Sequence, residues 1–261
     1  MGKTGNLRRL TPIAGTIEVR GILGAAVANL GVRIVGGEWP IGSVIAKEAD
    51  LVTELDVSRS VIREACRILG AKGLIRSRTS DGTRVQPRAE WRLLDPDVMD
   101  WRIQAGDREG LLRDLLKLRL VLEPGIAYSA TVMADDAARE KIDAAWDAKK
   151  FIHNDTTLNE HDWRAAFIEA DIAFHQAFVE AVSSEMLDQV FSVISSALDL
   201  QFDHQLEALG RSNRLIGMDG SYEMHERVYR AFIQKDATGA ENAMRNLIHC
   251  AINDAESGFQ Q

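Results

Sequence analysis

The chain has little cysteine. Cys66 and Cys250 are the only two in 261 residues, far apart and both inside helical patterns. That rules against a disulfide framework and fits core thiols of a reduced, cytoplasmic protein. No run of about 18 apolar residues occurs, so no membrane-spanning helix is expected. The opening stretch, residues 1–15, is mildly basic but has no apolar h-region, so no secretory signal is expected either. Internal repeats, low-complexity tracts, a CxxC pair, a phosphate loop and a nucleophile–base motif are all absent. β-Structure is nearly absent as well: a single hairpin is the only convincing case.

What is present begins with an uneven charge. The net charge of −8 argues against nucleic acid until the chain is divided. Residues 1–90 carry 14 Lys/Arg against 9 Asp/Glu, a balance of +5, and the remainder sums to −13. A basic front is drawn to phosphates while an acidic remainder is held off them.

The periodicity predicts a loose arm over 1–16 and a compact, basic module over 17–86. A linker with a linker helix follows over 87–106, then an all-helical domain over 107–257. Within the module, apolar residues recur at helical spacing from Ile17 to Ile34, ending at Gly36-Gly37, and again from Ile45 to Leu55. Asp56-Val57-Ser58 breaks the second helix, and Ser58 caps a third running from Arg59 to Gly70. Alternation on either side of Ser80-Asp81-Gly82 then gives a two-stranded hairpin ending at Val85. Beyond Asp97 the pattern is helical throughout. Helices are expected at about 97–105, 107–134, 136–153, 158–183, 185–209, 221–235 and 237–257. Asp135-Asp136, Ser184 and Asp236 stand at N-cap positions, and Gly210 at a stop. The fold class is therefore mainly α: a winged helix-turn-helix with a small β-hairpin wing, followed by an all-α bundle.

In a winged helix-turn-helix the second helix enters the major groove by its N-terminal end. Here that end is Ser58-Arg59-Ser60-Val61-Ile62-Arg63. Arg59 and Arg63 share a face one turn apart, and a guanidinium fork suits guanine or phosphate. Ser60 can bond to either, while Ser58 and the free N–H groups of the helix start favour a phosphate. The plainer alternative is two solvated arginines, with Arg63 paired to a nearby carboxylate.

The run VSRSVIREACRILGAKGLI, followed by a basic hairpin closing on Gly82-Thr83-Arg84-Val85, resembles the GntR family of transcription regulators. The resemblance implies that Arg59 and Arg63 contact operator DNA and that the wing tip, about Asp81 to Thr83 and including Gly82, reaches the minor groove. Upstream the chain departs from the family pattern. Where relatives carry an arginine this chain has Ala49, with Lys47 as a substitute phosphate contact.

One segment of the helical domain is chemically unusual, Ile168-Glu169-Ala170-Asp171-Ile172-Ala173-Phe174-His175. Asp171 and His175 lie i, i+4, so carboxylate and imidazole converge amid apolar neighbours. Spacing alone fits a hydrogen-bonded Asp–His pair as readily as half a metal site. Leu118-Arg119-Leu120-Val121-Leu122-Glu123-Pro124, that helix, and Met224-His225-Glu226 occur in an order resembling the FadR-type (FCD) ligand-binding domain. The resemblance implies Asp171, His175 and His225 as ligands of a divalent metal ion (Zn, or Ni or Mn), with Arg119 clamping an effector carboxylate. The family's last histidine falls at Leu247, and His249 lies about 200° around the helix from it. His153, His161 and His204 read as surface residues, and Phe167, Phe174 and Phe178 as a core stripe.

The expected function is transcription regulation, as a homodimeric repressor on double-stranded operator DNA released by a small acidic metabolite. Trp91-Arg92-Leu93-Leu94-Asp95-Pro96-Asp97-Val98 and Trp101 resemble the linker of members that govern sugar-acid catabolism, which makes a sugar acid the expected effector. Two rivals stand beside this: a metal-dependent enzyme using Asp171, His175 and His225, and a DNA binder blind to effectors. No obvious general base beside those ligands counts against the enzyme.

Overall fold

A computed structural model describes residues 20–78, 82–208 and 218–258. The chain divides into two compact units, the first ending at Leu111 and the second beginning at Leu112.

The first unit is a winged helix-turn-helix. Its helices are α1 (Gly21–Val35), α2 (Glu48–Leu55) and α3 (Arg59–Ala71), and the wing is β1 (Ile75–Arg78) with β2 (Gly82–Val85). The strands pair antiparallel with Ile75 opposite Val85 and Arg78 opposite Gly82. α3 starts as its sequence dictates, with the Ser58 hydroxyl accepting from the Val61 N–H. Leu30, Ile34, Leu51, Ile62, Leu69 and Val85 close the core at 1% exposure or less.

Two expectations need correction here. The second helix begins at Glu48, not Ile45, because the backbone before it is used by the wing. The Ile45 N–H donates to the Thr83 carbonyl (2.9 Å) and Val44 bridges Arg84. Ile45 is buried all the same, so apolar spacing forecast its burial and not its backbone. The start of α1 is Gly21, and residues 17–19 lie outside the described residues, as do the turn 79–81 and the expected stop at Gly210.

The stretch expected as linker adds a 3-10 turn (Arg88–Glu90) and α4 (Pro96–Gln104), and these pack into the first unit. Trp91, Val98 and Trp101 belong to its core. The Trp101 indole covers Gly31 so closely that a Cβ there would meet it at 2.4–2.7 Å. Lys72 ties the end of α3 to the start of α4 through Asp95 and Asp97, each at 2.8 Å.

The second unit is helical throughout its described residues. It comprises α5 (Arg108–Met133, which starts before the boundary), α6 (Asp136–Asn154), α7 (Glu160–Ala181), α8 (Glu185–Ala208), α9 (Met218–Ile233) and α10 (Ala237–Gly258). Asp135, Ser184 and Asp236 accept backbone N–H groups at the starts of α6, α8 and α10, as their positions in the sequence require. α6 packs on α7 and α9, α7 on α8, and α10 on α8 and α9. The core between them includes Ile142, Trp146, Phe167, Phe174, Phe178, Val228, Phe232 and Leu247. The buried ionisable side chains of this unit's described residues meet in one place.

Candidate functional site

On the first unit, Ser58, Arg59, Ser60 and Arg63 stand exposed along the start of α3. The Ser58 and Ser60 hydroxyls are 2.8 Å apart. Arg63 Nε donates to Glu48 Oε2 at 3.0 Å, yet 71% of its side chain remains exposed. The carboxylate partner weighed in the sequence is therefore real. An exposed pair of this kind is worth about 0–1 kcal/mol, too little to withhold the guanidinium from a base edge. Lys47 is exposed at the N-cap position of α2, with Ala49 also exposed. Gly82 takes φ +75 at the start of the second wing strand, and Thr83 bonds Ser77 across the strands at 2.9 Å. Asp81 falls outside the described residues.

On the second unit, four helices bring their buried polar residues together. α5 supplies Arg119 and Glu123, α6 supplies Lys149, α7 supplies Asp171 and His175, and α9 supplies His225. All are within 3% of full burial. Arg119 Nε donates to Glu123 Oε1 at 2.6 Å, and Arg119 Nη2 lies 3.4 Å from His175 Nε2. Glu123 Oε2 touches His175 Nδ1 at 2.7 Å, although the N–H is not aligned for a straight hydrogen bond. His225 Nδ1 lies 2.7 Å from the Ser221 carbonyl, which only accepts, so the ring proton sits on Nδ1. The Nε2 lone pair of His225 then faces Asp171 Oδ1 at 3.1 Å and His175 Nε2 at 3.3 Å. At the same point Lys149 Nζ donates to Asp171 Oδ1 and Arg119 Nη2 faces His175 Nε2, so positive charge already meets both acceptors.

The local field is consistent with that geometry. Burial first, then the Lys149 charge, lowers His225 to about 4, which keeps its ring neutral at physiological pH. Burial alone would raise Asp171, but the Lys149 ammonium outweighs it and holds the carboxyl well below the usual range. Burial would likewise raise Glu123, and Arg119 followed by His175 brings it down to about 2. Burial draws Lys149 below the ordinary lysine value against the attraction of Asp171.

The structure thus gathers Asp171, His175 and His225, with one ligand atom from each within 4.8 Å of the others, and sets Arg119 beside them. Leu247 is buried in the core while His249 is exposed, so His249 does not join them. Three participants were missed by the sequence reading. Glu123 was legible, being i+4 from Arg119. Lys149 continues the buried stripe of Ile142 and Trp146, and a lysine on an apolar stripe is the signal that could have found it. Glu48 is fifteen residues from Arg63 and gave none.

Two lesser expectations are corrected. His153 is half-buried, stacked on Tyr222 with ring centroids 4.0 Å apart. Cys66 and Cys250 are half-buried free thiols rather than core residues, because each lies at the flank of its helix stripe. The side chains of His161 and His204 lie outside the described residues.

Among known protein families, the FCD domain matches residues 114–249, and the bacterial regulatory proteins of the gntR family match residues 24–85. The galactonate operon transcriptional repressor of Escherichia coli is 32% identical over 222 residues, 85% of this chain and 91% of that protein. The HTH-type transcriptional regulator LutR of Bacillus subtilis is 29% identical across 87% of this chain and 97% of its own length. Among solved structures, that of Lar, described as controlling expression of the Listeria monocytogenes agr system, matches with a TM-score of 0.51 at 14% identity. It covers 92% of this chain and 99% of its own, and shows the fold alone.

Proposed function

The chain belongs to the GntR family of bacterial regulators and carries an FCD domain, and on that premise we propose that a small carboxylate metabolite bound in its second unit controls its grip on operator DNA. It is a DNA-binding transcription regulator of the repressor type, not an enzyme. No helix among the described residues is long and apolar enough to cross a membrane. Its working place, with the chromosome, is the cytoplasm.

On the DNA side, Arg59 and Arg63 read bases, Ser60 bonds base or phosphate, Lys47 and Ser58 hold backbone, and Gly82 and Thr83 carry the wing tip to the minor groove. A winged helix alone covers little DNA, so two copies on a palindrome supply the specificity. The second copy has a surface to use. Val121, Gly125, Tyr128 and Val132 form one stripe on α5, with Val121 77% and Val132 62% exposed and open space over Gly125. The domain limits expected from the sequence, with DNA reading up to residue 86 and sensing from residue 107, serve this division of labour.

The observation that carries the sensing half is the Arg119 guanidinium, buried in a helical core beside the three donor atoms. Its planar fork is made for a carboxylate. One carboxylate with two imidazoles fits a divalent ion such as Zn, Ni or Mn, and Ser221 and Glu123 orient the two rings from behind. Such an ion would supply a second point of attachment for the effector carboxylate or an adjacent hydroxyl. The similarity to the galactonate operon repressor favours a sugar acid. Effector binding controls DNA only through unequal affinity for two forms of the dimer.

The test is operator binding by gel shift at fixed salt, with and without a panel of aldonates and hydroxy acids. Release by one acid, lost in Arg119→Lys, is the expected result. Operator affinity indifferent to every acid, with no acid shifting the melting temperature, would overturn the sensing half.

A further inference from the structure

Lys149 is the one residue of the buried cluster that neither a metal-binding pattern nor a carboxylate clamp requires. Its side chain is 0% exposed, its Nζ is bonded to Asp171 Oδ1, and it lies 4.6 Å over the Phe167 ring. Asp171 Oδ1 is also the oxygen nearest His225 Nε2, at 3.1 Å. The ammonium therefore binds the Asp171 oxygen that faces His225, on the one carboxylate of the donor set, while Oδ2 lies 3.8 Å from His175 Nε2. Arg119 and Lys149 stand against Glu123 and Asp171, two cations facing two carboxylates without any added ion. A divalent ion brought to these donors must share Asp171 with a fixed positive charge or displace it. In an interior of low dielectric, two cations on one carboxylate repel strongly.

We propose that the Lys149 ammonium is the resident cation of this site and competes with a divalent ion for Asp171, so that this amine sets how tightly the site holds metal. The inference rests on Asp171, His175 and His225 being metal donors, as read above. It explains how a site with only three protein donors stays satisfied when metal is scarce. It also makes occupancy depend on the metal supply, since the ion must work against a tethered competitor present at high local concentration.

The experiment is titration of the full-length protein with Zn2+ or Ni2+ alone, against a chromophoric chelator, for wild type, Lys149→Met, Lys149→Gln and Lys149→Arg. Lys149→Gln keeps a donor toward Asp171 and so guards against a Met variant that does not fold. The neutral variants are expected to bind one equivalent at least about tenfold tighter than wild type, and Lys149→Arg to stay as weak as wild type. Melting temperature should rise with metal more steeply in the neutral variants, since binding to the native state alone adds stability. Equal affinity in wild type and both neutral variants would overturn the competition and leave the metal reading intact. If no variant takes up an equivalent, the metal reading falls and the competition with it. Neither result touches operator binding or acid response, which are measured separately.

Discussion

Arg119 on α5 and His175 on α7, 56 residues apart in the chain, place Nη2 and Nε2 3.4 Å from each other inside the second unit. Glu123 reaches both groups as well, at 2.6 Å from Arg119 Nε and 2.7 Å from His175 Nδ1. In the proposed clamp, a ligand carboxylate competes with Glu123 for the guanidinium.

Arg119→Lys keeps the charge but loses the fork, and should weaken acid-induced release of DNA about tenfold. Arg119→Met leaves Glu123 buried without its strongest partner and should cost about 3–5 kcal/mol of stability. Urea denaturation checks the second and gel shift with the active acid checks the first. Equal acid response in wild type and the Lys variant would remove Arg119 from the clamp.

Stability should fall in two steps as pH is lowered. His225 has a folded pKa of about 4 against 6.5 unfolded, so its contribution is complete above 6.5 and lost between 6.5 and 4. Glu123, at about 2 against 4.5, loses its contribution between 4.5 and 2. Melting temperature against pH should show the first step shrink in His225→Gln. A first step of unchanged size in that variant would show that His225 does not cause it.

Arg59→Ala and Arg63→Ala should each weaken specific operator binding by about 1–3 kcal/mol without unfolding the first unit. Glu48→Gln frees Arg63 from its partner and should change affinity by less than about 1 kcal/mol. Gel shift and circular dichroism measure both. Undiminished binding in both folded arginine variants would assign DNA reading elsewhere.

Charge placed on the α5 stripe should separate the copies. Val121→Asp and Val132→Asp bury a carboxylate in any interface formed there and should shift sedimentation from dimer toward monomer at micromolar concentration. Operator binding should weaken in parallel. A dimer that survives both changes would place the interface elsewhere.

Some of this architecture is written in local sequence. The helices of the second unit, their caps at Asp135, Ser184 and Asp236, and the hairpin after α3 follow from apolar period and capping chemistry, which act over a few residues. So does the shared face of Arg59 and Arg63, and so does the convergence of Asp171 with His175. Other features required the packed chain. Ile45 obeys helical spacing but lies in an extended segment, because its N–H is claimed by Thr83 from across the wing. Trp91 and Trp101 sit in a stretch that reads as linker, yet Gly31 gives Trp101 a seat in the core. Lys149 falls in step with Ile142 and Trp146, which marks it for burial, but only the packing of α6 against α7 gives it Asp171 as a partner. The physical reason is the same in each case. Period and capping are set by neighbours within a turn or two of helix, whereas the partner of a buried charge is chosen by which helix faces meet.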